Sequence, residues 1–299
     1  MTGAVTILIP TYNRSRALRA VWPSYVGNPL VAEIVVVDDG STDGTDRVVK
    51  ELAASSPTPV TLIRHAARRG QQAARQTAIA ASNTEWVIFG EDDVWLQREY
   101  IGTLLRQAGE LGASIIAGRL LTARTPGEFR PEELPSTLAP VTPADRLVQW
   151  RTLGSDFSLR TSAPTPVPFL HSIALIRRRL FAQCGFDGWF VGNGWREETD
   201  FYLSANAAGE KVYFTPDAAC FHLRGPICAE GGQRISRLSV EYYAWRNTRY
   251  LLRKHWAFLR SAYGLSGGPF LRTLEFFVRR QLQQLRRALT RGVRSSFQA

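Results

Sequence analysis

Short unbroken apolar runs and longer amphipathic segments take turns along the first 120 residues. Val5–Ile9, Glu33–Val37, Pro59–Arg64, Trp86–Phe89 and Ser114–Ala117 are rich in β-branched and aliphatic side chains without polar alternation. Runs of that kind read as strands covered on both faces, the mark of a parallel sheet. Pro10 ends the first run because it cannot donate to a ladder. Between the runs, helical spacing covers about Arg16 to Tyr25 with a kink at Pro23, the segment from the Ser41–Thr45 turn to about Ala54, Gly70 to Ala81, and about Arg98 to Ala108. Strand and helix in alternation predict an α/β chain whose mostly parallel sheet is flanked by helices. From Leu121 to Asp145 the pattern breaks: Pro126, Pro131, Pro135, Pro140 and Pro143 mark either a binding loop or a surface insertion. It resumes with a strand over Phe169–Ile176, a short helix from Arg177 and an aromatic turn at Gly185–Phe190. A helix running to Ala208, with Phe201, Leu203 and Ala207 facing inward, precedes a strand at Lys211–Phe214 and a short apolar stretch that delivers His222.

The composition alters this picture only at the C-terminus. Of 299 residues, 37 are basic and 26 acidic, but residues 239–299 hold 12 of the basic and 2 of the acidic ones. That segment carries +10 of the +11 net charge, so the body is almost neutral and a general affinity for nucleic acid is not expected. Phe270, Leu271, Leu274, Phe277, Val278, Leu282, Leu285 and Leu289 recur on one helical face, with Arg272, Arg279, Arg280, Arg286 and Arg287 on the rest. A basic amphipathic helix over 270–289 can lie on an anionic membrane or dock on the body, and the pattern allows both. No apolar run reaches the roughly 18 residues of a spanning helix. The start, in a strand by Val5 without a charged leader, predicts no signal peptide. Cys184, Cys220 and Cys228 lack metal-ligand spacing and fit a reduced compartment. The expected location is cytoplasmic, with a peripheral place on the inner face of the cell membrane as the variant implied by the tail.

Candidate chemistry sits at the ends of the predicted strands. Trp86–Phe89 runs directly into Glu91-Asp92-Asp93, and adjacent charges cannot lie inside a buried strand. They belong at its C-terminal end, where open α/β sheets bind ligands. Three crowded carboxylates repel unless a cation relieves them, and hard ions such as Mg²⁺ or Mn²⁺ take oxygen ligands. A solvated acidic turn is the alternative. Thr11-Tyr12-Asn13-Arg14 forms a polar loop with an aromatic able to stack on a base or ribose. After the second strand, Asp38 or Asp39 can accept from a base N–H or ribose hydroxyl. Glu197-Glu198-Thr199-Asp200 opens a helix, where the dipole alone would favour acids. No Ser-His-Asp or Cys-His arrangement is evident.

In this order and spacing the pieces resemble one family. Ile9-Pro10-Thr11-Tyr12-Asn13, Val37-Asp38-Asp39-Gly40-Ser41-Thr42-Asp43-Gly44-Thr45, Ala74-Arg75-Gln76, Glu91-Asp92-Asp93, Gly185-Phe186-Asp187, Glu197-Glu198-Thr199-Asp200 and His222 are similar to the motifs of glycosyltransferase family 2, with the GT-A fold. The resemblance spans about Val5 to His222. It implies an inverting, metal-dependent transfer of a sugar from a nucleotide-diphosphate donor, a UDP-sugar by preference, to an acceptor hydroxyl. It further implies that Pro10, Thr11, Tyr12, Asn13 and Asp38 or Asp39 hold base and ribose, that Arg75 approaches the nucleotide, and that Asp92 assists. Asp93, Glu91 and His222 would ligate Mn²⁺ or Mg²⁺; Glu198 would be the catalytic base and Asp200 its support near the acceptor. Glu91 and Glu198 stand where Asp is commoner, and Ser204 where an Arg is frequent. The expected organisation is a nucleotide-sugar-binding half (1–118), an acceptor half with the Pro-rich loop 121–145 (119–238) and a basic helical extension (239–299). Acceptors expected are a glycan, a lipid-linked sugar or a small molecule. Two other classes compete: a nucleotidyltransferase, which would want a Gly-rich basic phosphate loop after the first strand, and a non-enzymatic basic protein that binds polyanions.

Overall fold

The structure, a computed structural model, describes residues 4–123, 139–232 and 236–296, with side chains in the last helix as far as Arg286. Most of the Pro-rich loop therefore lies outside the described residues. The strands are β1 (Val5–Thr11), β2 (Val31–Asp38), β3 (Val60–Arg64), β4 (Trp86–Phe89), β5 (Val94–Leu96), β6 (Ile115–Ala123), β7 (Val148–Gln149), β8 (Gly154–Ser155), β9 (Thr165–Pro166), β10 (Leu175–Arg177) and β11 (Val212–Leu223). The helices are α1 (Ser15–Val21), α2 (Thr45–Ala54), α3 (Gln71–Ala81), α4 (Tyr100–Leu111), α5 (Leu180–Gln183), α6 (Glu197–Ala207), α7 (Arg237–Tyr263) and α8 (Gly268–Ser296).

Eight strands of one sheet lie in the order β3-β2-β1-β4-β10-β6-β11-β5, with β9 on β11 as its ninth. The leading four are all parallel; β10, β5 and β9 run antiparallel to their neighbours. The sheet is thus parallel where the alternation is strict and mixed beyond it. Alternate residues of each buried strand feed two apolar layers. Ile7, Ile9, Val36 and Ile88 meet Leu18, Trp22 and Tyr25 on one side. Leu8, Val35, Val87 and Phe89 meet Ala74, Ala78, Phe201 and Leu251 on the other.

Four local readings are corrected. The first helix ends at Val21 and continues as a 3-10 turn, Trp22–Ser24, since Pro23 removes a helical donor. Phe169–Ile176 is a strand only over Leu175–Arg177. Lys211–Phe214 is the start of a twelve-residue strand that carries His222 near its end. On α6, Ala207 is exposed, and Tyr202 and Ala205 are buried beside Phe201 and Leu203. Leu251, Leu252 and Leu259 of α7 join the second core layer, so the first helix of the basic extension belongs to the body. Among the described residues, no helix is long and apolar enough to cross a membrane.

Candidate active site

The parallel strands end side by side, and the polar segments that follow them build a cavity. Its lining includes Pro10, Thr11, Tyr12, Arg14, Asp39 and the three acids Glu91, Asp92 and Asp93. Asp38 and Asp39 are buried and divide the work of shaping its rim. Asp38 accepts from Ser41 N at 2.8 Å and lies 3.5 Å from Arg64. Asp39 accepts from Arg69 N (2.8 Å) and Gly70 N (2.7 Å) and bonds His65 Nδ1 (2.7 Å), which moors the 65–70 loop at the start of α3. The turn that follows them needs Gly40: its φ is +76°, and a Cβ would stand 2.9 Å from the Ala67 backbone. Asn13 Oδ1 accepts from Thr42 N (2.7 Å) and its own N–H donates to Ser41 (2.9 Å), tying the first polar loop to the second. Tyr12 lies under the Arg68 guanidinium at 4.2 Å, and its carbonyl accepts from Gly232 N.

The acidic turn after β4 is anchored from below by Tyr25, whose hydroxyl donates to the Glu91 carbonyl at 2.7 Å. The three side chains then diverge. Glu91 turns to Arg75 (3.2 Å). Asp92 accepts from the Thr11 hydroxyl (2.8 Å) and lies 3.9 Å from Arg14. Asp93 meets His222 Nε2 (3.4 Å) and Arg14 (3.6 Å). The partner His222 arrives through pairing: β5 runs antiparallel to β11, with Val94 opposite His222, and Leu223 N donates to Asp93 O. Burial and then the Asp93 charge push the Asp92 carboxyl well above its usual range. Burial acts the same way on Asp93, but the His222 bond and the Arg14 and Arg224 charges outweigh it and hold that carboxyl low. One acid of the pair is thereby kept charged beside another that resists ionisation.

Among the described residues, no three His, Cys, Asp or Glu side chains gather tightly enough to hold a metal alone. The expected set of Glu91, Asp93 and His222 is not assembled, because Glu91 is drawn to Arg75. Asp93 with His222 nevertheless fits an ion that takes its other oxygens from a diphosphate, and an imidazole in the set favours Mn²⁺ over Mg²⁺.

Arg75 connects the two acidic motifs. It is 1% exposed and reaches Glu91, Glu197 (3.7 Å) and Glu198 (2.7 Å). These carboxylates outweigh the cost of burial and keep the guanidinium charged. Of the three, Glu198 is the most open, at 30%. Glu197 is sealed, its carboxyl pushed up by burial despite Arg75. Asp200 points elsewhere, to His255 Nε2 (2.7 Å) and Lys254 (2.8 Å) of α7. Thus the fold gathers Thr11, Tyr12, Asp39, Asp92, Asp93 and His222 on one side and links Glu91 to Glu198 through Arg75, while Asp200 stands apart. Arg14, Arg68 and the α7 pair Lys254 and His255 were missed by sequence reasoning. Arg14 had a signal: a cation beside the first strand's end answers the unpaired acids of the fourth. A larger concavity, between α3 and α5 at Gln76, Ile79, Arg178 and Phe181, holds none of these groups.

A family model described as "Glycosyl transferase family 2" matches residues 6–185. Glycosyltransferase GlyA of Streptococcus pneumoniae is 31% identical over 115 residues, which is 38% of this chain but only 16% of GlyA, so the likeness spans a small part of that relative. Two solved structures share the fold at low identity. TarS 1-349 of S. aureus in complex with UDP-GlcNAc superposes with TM-score 0.56 at 15% identity, covering 83% of this chain and 65% of that one. Mannosyltransferase PcManGT from Pyrobaculum calidifontis, in complex with GDP-Man and Mn²⁺, gives 0.54 at 20%, covering 93% and 70%. The fold is GT-A. The chain belongs to glycosyl transferase family 2.

Proposed function

We propose that this member of glycosyl transferase family 2 moves a sugar from a nucleotide-diphosphate donor, a UDP-sugar in our reading, to an acceptor hydroxyl in polysaccharide, glycolipid or glycosylated-metabolite synthesis. The observation that carries the reading is Arg75, whose buried guanidinium pairs with both Glu91 of the donor-side turn and Glu198 of α6 and so joins the two acidic motifs. Residues 1–118 would then hold the donor and 119–238 the acceptor. Neighbours of the same fold solved with UDP-GlcNAc and with GDP-Man and Mn²⁺ support a nucleotide-sugar donor.

Thr11 and Tyr12 border the base and ribose, and Asp39 acts by fixing the 65–70 loop beside them. Asp93 and His222 would hold a divalent cation against the diphosphate; when bound, such an ion stabilises the charge that grows on the leaving nucleoside diphosphate. Glu198 takes the proton of the acceptor hydroxyl as that oxygen bonds to the anomeric carbon. The bond from this carbon to the diphosphate oxygen breaks, and the leaving group keeps the electron pair. A single displacement inverts the carbon and needs no nucleophile from the protein. Arg75 restrains Glu198 without covering it, so the base stays aimed at the cleft.

The test is thermal stabilisation by a panel of UDP-, GDP- and dTDP-sugars with Mn²⁺, with Mg²⁺ and with chelator. A ligand at about 100 times its Kd adds roughly 2.7 kcal/mol. One nucleotide class should raise Tm, and only with metal. If no nucleotide-sugar shifts the transition under any condition, the reading is wrong.

A further inference from the structure

The C-terminal hairpin is docked by the unexpected side of its last helix. Near the start of α7, Glu241 receives Arg280 (2.8 Å), Gln281 (2.9 Å) and Gln284 (2.6 Å) from α8, so the two helices run antiparallel. Against the body α8 buries Thr273 and Phe276, and Arg280 covers Trp195 at 4.6 Å. The apolar stripe is turned away: Phe270, Leu271, Leu274, Val278, Leu282 and Leu285 are 47% to 74% exposed. At about 100° per residue these six occupy a sector of about 120°. Arg272, Arg279 and Arg286, seven residues apart, form a row along one edge of it. Over its whole length α8 has seven arginines against one glutamate, a net +6.

We infer that this face rests on the surface of an anionic lipid bilayer, apolar side chains among the acyl boundary and arginines at the headgroups. The charge selects this partner. A second copy of the chain would bring two +6 helices face to face, and like charges at close range repel. A nucleic acid would answer the arginines but leave six apolar side chains against water or phosphate. A bilayer with acidic headgroups accepts both parts, as basic amphipathic helices do at interfaces. None of these residues touches the cleft, so the inference stands apart from the sugar-transfer reading.

The experiment uses the full chain with vesicles of phosphatidylcholine and phosphatidylglycerol, and with vesicles of phosphatidylcholine alone. Sedimentation with the anionic vesicles is expected, fading as salt approaches about 1 M, where the Debye length is near 3 Å. Each arginine near the surface should contribute about fivefold to partitioning. The triple variant Leu274→Gln, Val278→Gln, Leu282→Gln changes only exposed positions and should melt as the parent does while binding at least about tenfold more weakly, since each buried methylene counts. The inference is overturned if the parent ignores anionic vesicles, or if it binds neutral and anionic ones alike at every salt concentration. Concentration-dependent dimers that the triple variant abolishes, without vesicle binding, would assign the face to a second copy. Heparin binding untouched by the triple variant, again without vesicle binding, would assign it to a polyanion.

Discussion

Two runs of acids look alike in the chain, Glu91-Asp92-Asp93 after β4 and Glu197-Glu198-Thr199-Asp200 at the head of α6, but they meet different surroundings. The first lies where parallel strands stop, so the Thr11 hydroxyl, Arg14 and His222 converge on it from separate segments, and Asp92 and Asp93 stay together by the cavity. The second begins a helix, whose turn of about 100° per residue sends neighbours in separate directions. Glu197 goes into the sealed interior, Glu198 to a partly exposed place against Arg75 and Asp200 to Lys254 and His255. A strand end collects charges; a helix start distributes them. Arg75 meets both Glu197 and Glu198, and burial decides between them: only Glu198 remains partly open.

That contrast can be broken by experiment. The largest effect expected is on Glu198→Gln, which keeps the shape but removes the base: transfer should fall by roughly 10²–10⁴ with donor affinity unchanged. If Glu197→Gln or Asp200→Asn stops transfer and Glu198→Gln does not, the division of roles is wrong. Next is Arg75→Met, which strands buried Glu197 and half-buried Glu91 without a counter-charge. Loss of one partner of a buried pair costs about 3–5 kcal/mol, readable as a lower denaturant midpoint at constant m-value. On the strand-end side, Asp93→Ala should weaken Mn²⁺-dependent nucleotide binding by about 100-fold or more, since losing even an outer partner of a ligand costs 10–100-fold. Equal affinity with and without chelator in the parent would remove Asp93 from the metal. Asp200→Asn should cost about 1.5–3 kcal/mol of stability, the range for a bond to a charged group, and leave donor affinity alone.

The smallest effect concerns His171, whose carbonyl accepts from Tyr202 of α6. Its ring donates from Nε2 to Gly118 O and accepts at Nδ1 from Ile173 N, an arrangement that a second ring proton would break. Burial lowers its pKa from 6.5 to about 4, the Gly118 bond opposing and nearby His222 adding to the fall. The folded pKa is depressed, so below 6.5 the unfolded chain binds the extra proton and stability declines as pH falls toward 4. At pH 6 the loss is about 1 kcal/mol. His171→Gln should flatten that part of the curve, and an unchanged slope would exclude His171 as its source.

Much of the protein was legible from periodicity and end chemistry. Unbroken apolar runs located β1, β2 and β4 because a strand covered on both faces has no polar alternation to show, whereas β3, at the sheet's edge, is only half-buried. The charges that could not stay inside a strand marked where the cavity would lie, and the family followed from the order of those ends. What the sequence could not decide is which groups meet across long separations. His222 reaches Asp93 only because β5 folds back along β11. Arg75 reaches Glu198 only because α3 and α6 pack on the same face of the sheet, and Asp200 is taken away by a helix in the basic extension. The apolar stripe of α8 was visible from its spacing, but whether it faces the body or solvent depended on Glu241, more than thirty residues earlier. Local patterns report what each segment does with its own backbone and nearest turn. Pairings between distant segments are chosen by the total burial and charge of the folded chain, and that sum exists only once the tertiary structure has formed.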